Sequence, residues 1–187
     1  MKRPTLYGIA ACALALAVVL PAAQSSAQQD KSKRPSPPGT AAFTLADGKT
    51  ITINYSRPKM RDRKIYGGLV PYGEVWRAGA NEATSFVTQS NLLVGGTTVP
   101  AGSYTLFILP QENGPWKLIV SKKTGEWGIP YPGEQNDLAR INMKTAKTPA
   151  AVEDFTISFD KSGPNTGVIK FDWENTSASV DFSEASK

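Results

Sequence analysis

The chain has no histidine and a single cysteine, Cys12, in 187 residues. Without histidine the usual base at neutral pH and the commonest metal ligand are both missing. Cys12 lies inside an apolar run, residues 9–20, near the N-terminus. A chain that loses this run has no thiol, which excludes disulfides, thiolate nucleophiles and sulfur-ligated zinc together. No apolar stretch reaches the roughly 20 residues of a membrane-spanning helix. No segment sustains a helical 3.6-residue period, so helix bundles and strand–helix–strand folds drop out, and with them the strand, glycine-rich turn and helix of a nucleotide fingerprint. Lysine and arginine number 21 against 16 acids, a net charge of +5 at pH 7. With no continuous basic stripe and no base-stacking motif, that excess points away from nucleic acid.

What is present begins with an export signal. Lys2 and Arg3 precede the apolar run, and Pro21 and small residues follow it, the order of a secretory leader. Cleavage after Ala27, or after Ala23, satisfies the small-residue rule. Residues 1–27 are therefore expected to be a signal peptide, the product periplasmic or secreted, with no transmembrane segment after removal. Losing Lys2 and Arg3 lowers the net charge from +5 to +3. Residues 28–39, rich in Ser, Lys and Pro, have no apolar period to offset the entropy of ordering and read as a flexible tether. Residues 40–187 are long enough for one domain with one core.

That domain reads as short strands. Ile51, Ile53 and Tyr55 alternate with Thr52, Asn54 and Ser56, which gives one apolar and one polar face. Asp47-Gly48 and Gly95-Gly96 are tight hairpin turns by composition. Residues 103–109, SYTLFIL, suit a central strand covered on both faces. Residues 84–89, 92–94, 97–99, 116–121, 138–145, 155–159, 168–173 and 178–182 complete the set, with a short helical turn expected near residues 68–76 or 135–138. Nine or ten strands without a helix predict an all-β, antiparallel two-sheet β-sandwich of jelly-roll or immunoglobulin-like type, with a small β-barrel as the alternative.

Two segments do not fit the strand pattern. Residues 57–84 hold Arg57, Arg63 and Arg77 with Tyr66, Tyr72, Trp76, Glu74, Asn81 and Glu82; residues 122–137 hold Trp127, Tyr131, Glu126, Glu134 and Asp137. The order of motifs is distinctive: Tyr55-Ser56-Arg57-Pro58, then Arg63-x-Ile65-x-Gly67, then Leu69-Val70-Pro71-Tyr72-Gly73-Glu74-x-Trp76-Arg77-x-Gly79-Ala80-Asn81-Glu82-Ala83-Thr84. Together with Pro100-Ala101-Gly102-x-Tyr104, Trp116 and Trp127-Gly128, it resembles the exported bacterial family called domain of unknown function 2911. The resemblance implies a periplasmic or secreted β-rich domain and carries no activity.

Guanidinium groups present a planar fork of donors to carboxylates and phosphates, and aromatic rings give broad contact to flat or sugar-like ligands. Arg57, Arg63, Tyr72, Glu74, Trp76, Arg77, Asn81, Glu82, Trp127 and Tyr131 are accordingly the candidate ligand-binding residues of a cationic and aromatic cleft. The ligand would be anionic or polyhydroxylated, a small molecule or a glycan. No catalytic residue, metal site or cofactor is assigned. Two other readings stay open. One is a carboxylate-dependent, glycosidase-like hydrolase in the same cleft, built from Glu74 and Glu82, or from one of them with Glu126, Glu134 or Asp137 of the second loop. The other is a structural or partner-binding domain, its partner a cell-envelope protein, whose arginines brace the loops and whose tryptophans plug the sandwich.

Overall fold

The computed structural model describes residues 30–185, so the expected signal peptide lies outside the described residues. Ten strands build two antiparallel sheets. β1 (Pro38–Thr44), β2 (Thr50–Ser56), β3 (Thr84–Thr88), β6 (Gly102–Leu109), β7 (Lys117–Ser121) and β8 (Asp137–Asn142) form the larger, in the order β1-β2-β3-β6-β7-β8. The smaller holds β4 (Leu92–Val94), β5 (Thr97–Val99), β9 (Lys144–Gly163) and β10 (Thr166–Glu184), in the order β5-β4-β10-β9. Each sheet keeps two separate edges, so the fold is a sandwich and not the alternative barrel. Among the described residues no helix is long and apolar enough to cross a membrane.

The turns form where their chemistry demands. Gly48 adopts φ +84 and the Lys49 amide donates to Asp47 Oδ1, which closes the β1–β2 hairpin; Gly95 and Gly96, both at positive φ, close β4–β5. The alternation of β2 places Ile51, Ile53 and Tyr55 in the core, and Tyr104 to Ile108 of β6 are buried without a break, as a central strand requires. Trp173, Phe86, Phe107, Phe155 and Phe171 are the largest fully buried side chains, each worth roughly 1.5–3 kcal/mol of apolar transfer.

Some boundaries differ from the sequence reading. The segments expected at residues 168–173 and 178–182 are one strand, β10, whose ladder with β9 runs on through irregularities on either side of Glu174. The polar run Glu174-Asn175-Thr176 breaks the apolar alternation without ending the pairing, because β9 shifts register opposite it. The expected strand 138–145 is divided near Met143, Lys144 having joined the other sheet. A short 3-10 turn occupies Glu134–Asn136, and another Lys31–Lys33; residues 68–76 hold turns but no helix.

Candidate functional site

The loop of residues 57–83 is fixed at three places. Its start lies along the edge of β9, with the Met60 amide donating to Glu153 O at 2.7 Å and the Phe155 amide to Pro58 O at 2.9 Å. Its middle folds on itself, the Gly68 and Val70 amides both reaching Ile65 O, and buries Ile65, Tyr66 and Val70 as a plug. Its end extends the large sheet: Trp76 and Ile108 exchange both backbone hydrogen bonds at 2.8 Å. Because opposite residues of a ladder share a face, Trp76 enters the core beside Ile108. There it stacks on Trp173 at 5.6 Å and 19° and meets Phe155 at 4.9 Å, while its indole N–H donates to Gly79 O at 3.0 Å. Tyr66 packs 4.5 Å from Trp116 with its hydroxyl buried and unpaired, and burial pushes the phenol pKa up.

Arg77 therefore projects to the other side, toward the second loop. The two loops meet there. The Ala83 amide donates to Glu126 O at 3.1 Å, and Gly128 fits so closely that a Cβ on it would lie 2.9 Å from Ala83 Cβ and 3.0 Å from Arg77 Cβ. Gly128 also has φ +82, a conformation open chiefly to glycine. The junction brings the Arg77 guanidinium carbon to 5.7 Å from the centre of the Trp127 ring, within cation–π range. Ala78 and Asn81 are both left-handed, at φ +51 and +57, and the Thr84 hydroxyl secures Ala78 O at 2.6 Å. For an alanine this conformation is strained by roughly 1 kcal/mol.

A pocket of about 340 Å³ opens beside Arg77, lined also by Arg63, Trp76, Leu69 and Ile129. Nε and Nη1 of Arg77 are buried and hydrogen-bond to nothing among the described residues, and desolvation lowers the guanidinium pKa from its usual value. Arg63 donates from Nε to Met60 O at 3.0 Å and from Nη2 to Lys59 O at 2.7 Å, so it braces the loop and faces no carboxylate. Leu69, Trp127 and Ile129 are 47%, 53% and 65% exposed. Large exposed apolar side chains around two uncompensated cations are what an anion with an apolar body would contact.

A second cleft, of about 480 Å³, lies on the outer face of the large sheet on the far side of the loop junction, with Glu82, Ala83 and Glu126 on its rim. Glu82 accepts from Arg34 at 2.8 and 3.0 Å and pairs with Lys31 at 3.0 Å. Its own backbone N–H, Arg34 and Lys31 hold its carboxyl down at about 2. It stays ionised and cannot serve as a general acid near neutral pH.

The remaining candidates stand apart from both cavities. Arg57 donates to the Thr156 hydroxyl at 3.3 Å, with Nε buried and unpaired, and braces β2 to β9. Asn81 donates to Ser36 O and Ser56 Oγ at 3.0 and 3.1 Å. Tyr72 packs against the core over Gly67, and Glu74 is exposed. Tyr131 donates to Asp137, accepts from Arg140 at 3.2 Å and packs on Phe107 at 5.1 Å; burial and Asp137 push its pKa up to about 12. Among the described residues no three Asp or Glu side chains converge on a possible metal position.

Sequence reasoning missed Leu69, Ile129 and the polar floor of the second cleft. Leu69 and Ile129 look like loop hydrophobics destined for burial, and their exposure becomes visible only in three dimensions. Comparison with curated proteins returns no match, and neither does comparison with solved structures. Residues 36–182, most of the chain, match the model of a family described as protein of unknown function, DUF2911, as the motif order implied, and the chain belongs to that family.

Proposed function

We propose that this protein is an exported binding or accessory module whose arginine pocket takes a carboxylate- or phosphate-bearing ligand with an apolar body. Arg77 carries the reading. A guanidinium with two buried, unpaired nitrogens is costly, because their desolvation is not repaid by any hydrogen bond among the described residues. An anion in the pocket would restore those bonds, and Leu69 and Ile129 of its lining, with Trp127 beside Arg77, offer it apolar contact. The bracing arginines each bond the protein, Arg63 through two nitrogens and Arg57 through one, whereas no side-chain hydrogen bond of Arg77 is found among the described residues. The hydrolase alternative is less well supported, since Glu82, the candidate carboxylate that reaches a cleft with a partner from the second loop, is tied to two cations. The sequence of residues 1–27 supports action after export.

A thermal-shift screen against phosphate, aliphatic and aromatic carboxylates, glycans and peptidoglycan fragments tests this, since a ligand well above its Kd raises native stability. A carboxylate or phosphate that stabilises the wild type but not Arg77→Met supports the pocket. If no anion in the panel produces a shift that depends on Arg77, the assignment fails.

A further inference from the structure

We infer that the cleft on the outer face of the six-stranded sheet is a second binding site, for an uncharged polyhydroxylated ligand such as a short oligosaccharide. The inference does not depend on the arginine pocket.

It starts from register. Thr40 pairs with Asn54, Asn54 with Ser85, and Ser85 with Thr105, so four short polar side chains lie in one row across β1, β2, β3 and β6. Adjacent strands are spaced by about 4.8 Å, which gives the row a length of about 14 Å. All four line the cleft, and beside them lies a second pair, Val87 opposite Ser103. Exposure falls along the row, from Thr40 and Asn54 in the open to Thr105 at 2%, where Thr124, Gly125 and Glu126 of the second loop wall the cleft.

The hydrogen-bonding capacity of this floor is largely unused. Thr105, 2% exposed, lines the deep end of the cleft, and its hydroxyl makes no side-chain hydrogen bond to the described residues. A hydroxyl that lines the deep end of a cleft and bonds no other side chain is free to donate to and accept from a ligand there. Asn54 uses only Oδ1, which accepts from Thr40 at 2.8 Å, and leaves its amide N–H groups free; Ser85 and Ser103 make no side-chain hydrogen bond within the described residues.

Charge selects the class of ligand. The charged residues lining the cleft are ion-paired, Lys31 and Arg34 sharing Glu82 and Glu126 lying 3.6 Å from Lys123. An anion would compete with Glu82 for its two cations, and a cation with Lys31 and Arg34 for Glu82. A neutral chain carrying hydroxyls along its length meets the free donors and acceptors directly, with the exposed Val87 under an apolar sugar face.

Titration of isotope-labelled protein with cellotetraose, maltotetraose and chitotetraose, followed by amide NMR, tests the site. The expected result is saturable shifts at Asn54, Ser85, Ser103 and Thr105 with at least one of them, and unaltered binding in Arg77→Met. Thr105→Val keeps the side-chain shape and should bind about five- to tenfold more weakly through loss of one hydrogen bond. Shifts centred on Arg77 and Ile129, equal affinity in Thr105→Val, or no shift with any of the three sugars in the millimolar range would each overturn the assignment.

Discussion

The Arg77 guanidinium carbon lies 5.7 Å from the centre of the Trp127 ring and has no carboxylate partner among the described residues, so an aromatic face from the other loop stands where a counter-ion would be expected. The contact recovers only about 0.5–2 kcal/mol, less than the cost of two buried, unbonded nitrogens. Arg77→Met keeps the apolar stem and removes the charge. The free protein should gain up to about 1 kcal/mol, or at worst lose nothing, while anion binding disappears. Urea denaturation and a thermal-shift titration read the two effects separately. A loss of several kcal/mol would instead make the residue a brace.

Gly128 holds the loops together by having no side chain. In Gly128→Ala the new Cβ would meet Ala83 and Arg77 at about contact-forbidden range, 2.9 and 3.0 Å, in a left-handed backbone. Destabilisation by about 1–3 kcal/mol is expected, with altered binding of anions because Trp127 shifts from Arg77. Chemical denaturation and tryptophan fluorescence report both.

Trp173 lies under Trp76 and beside Tyr66 and Phe155, and is 1% exposed. Trp173→Ala should cost about 3–5 kcal/mol, the range for removing a buried tryptophan. It should also loosen the floor of the arginine pocket, which Trp173 helps to line. Denaturant midpoints measure the loss, and an unchanged midpoint would refute the aromatic plug.

The Glu82 latch should make stability depend on acid pH. Its folded-state pKa, about 2, lies below the ordinary value of 4.5, so its contribution is complete above 4.5 and fades as the pH falls toward 2. The side chain is 42% exposed, and solvent limits the contribution to at most about 1 kcal/mol. Glu82→Gln should lower stability at neutral pH and flatten this acid limb, as denaturation midpoints measured across the range will show.

At the alkaline end the sign reverses. The pKa of Tyr131 is pushed up from 10.0 to about 12, so the native state resists its ionisation and loses that advantage as pH rises from 10 through 12. Tyrosinate absorbance should show a late-ionising group that is absent in Tyr131→Phe.

The strands were legible because alternation and turn chemistry are local. Ile51, Ile53 and Tyr55 repeat at the period of a half-buried strand, and Asp47-Gly48 and Gly95-Gly96 each mark a hairpin within two residues. Glu174-Asn175-Thr176 misled the same reasoning, since whether a polar interruption ends a strand depends on a matching shift in a partner some twenty residues away in sequence. The site was legible in part. Arg63, Trp76, Arg77 and Trp127 come together, whereas Arg57, Tyr72, Asn81 and Tyr131 serve the loops and sheets around them and Glu74 stands exposed.

Composition and order alone settled the β class, the hairpins, the family and the lack of histidine, because each depends on residue type and near neighbours. Roles among like residues were another matter. Arg57, Arg63 and Arg77 are equivalent as letters, yet the first reaches Thr156 across the sandwich, the second bonds its own loop's carbonyls, and the third is half-buried with two nitrogens unpaired among the described residues. Counter-ions, burial and the alignment of Thr40, Asn54, Ser85 and Thr105 across four strands are relations between distant segments, and only packing brings those segments into contact.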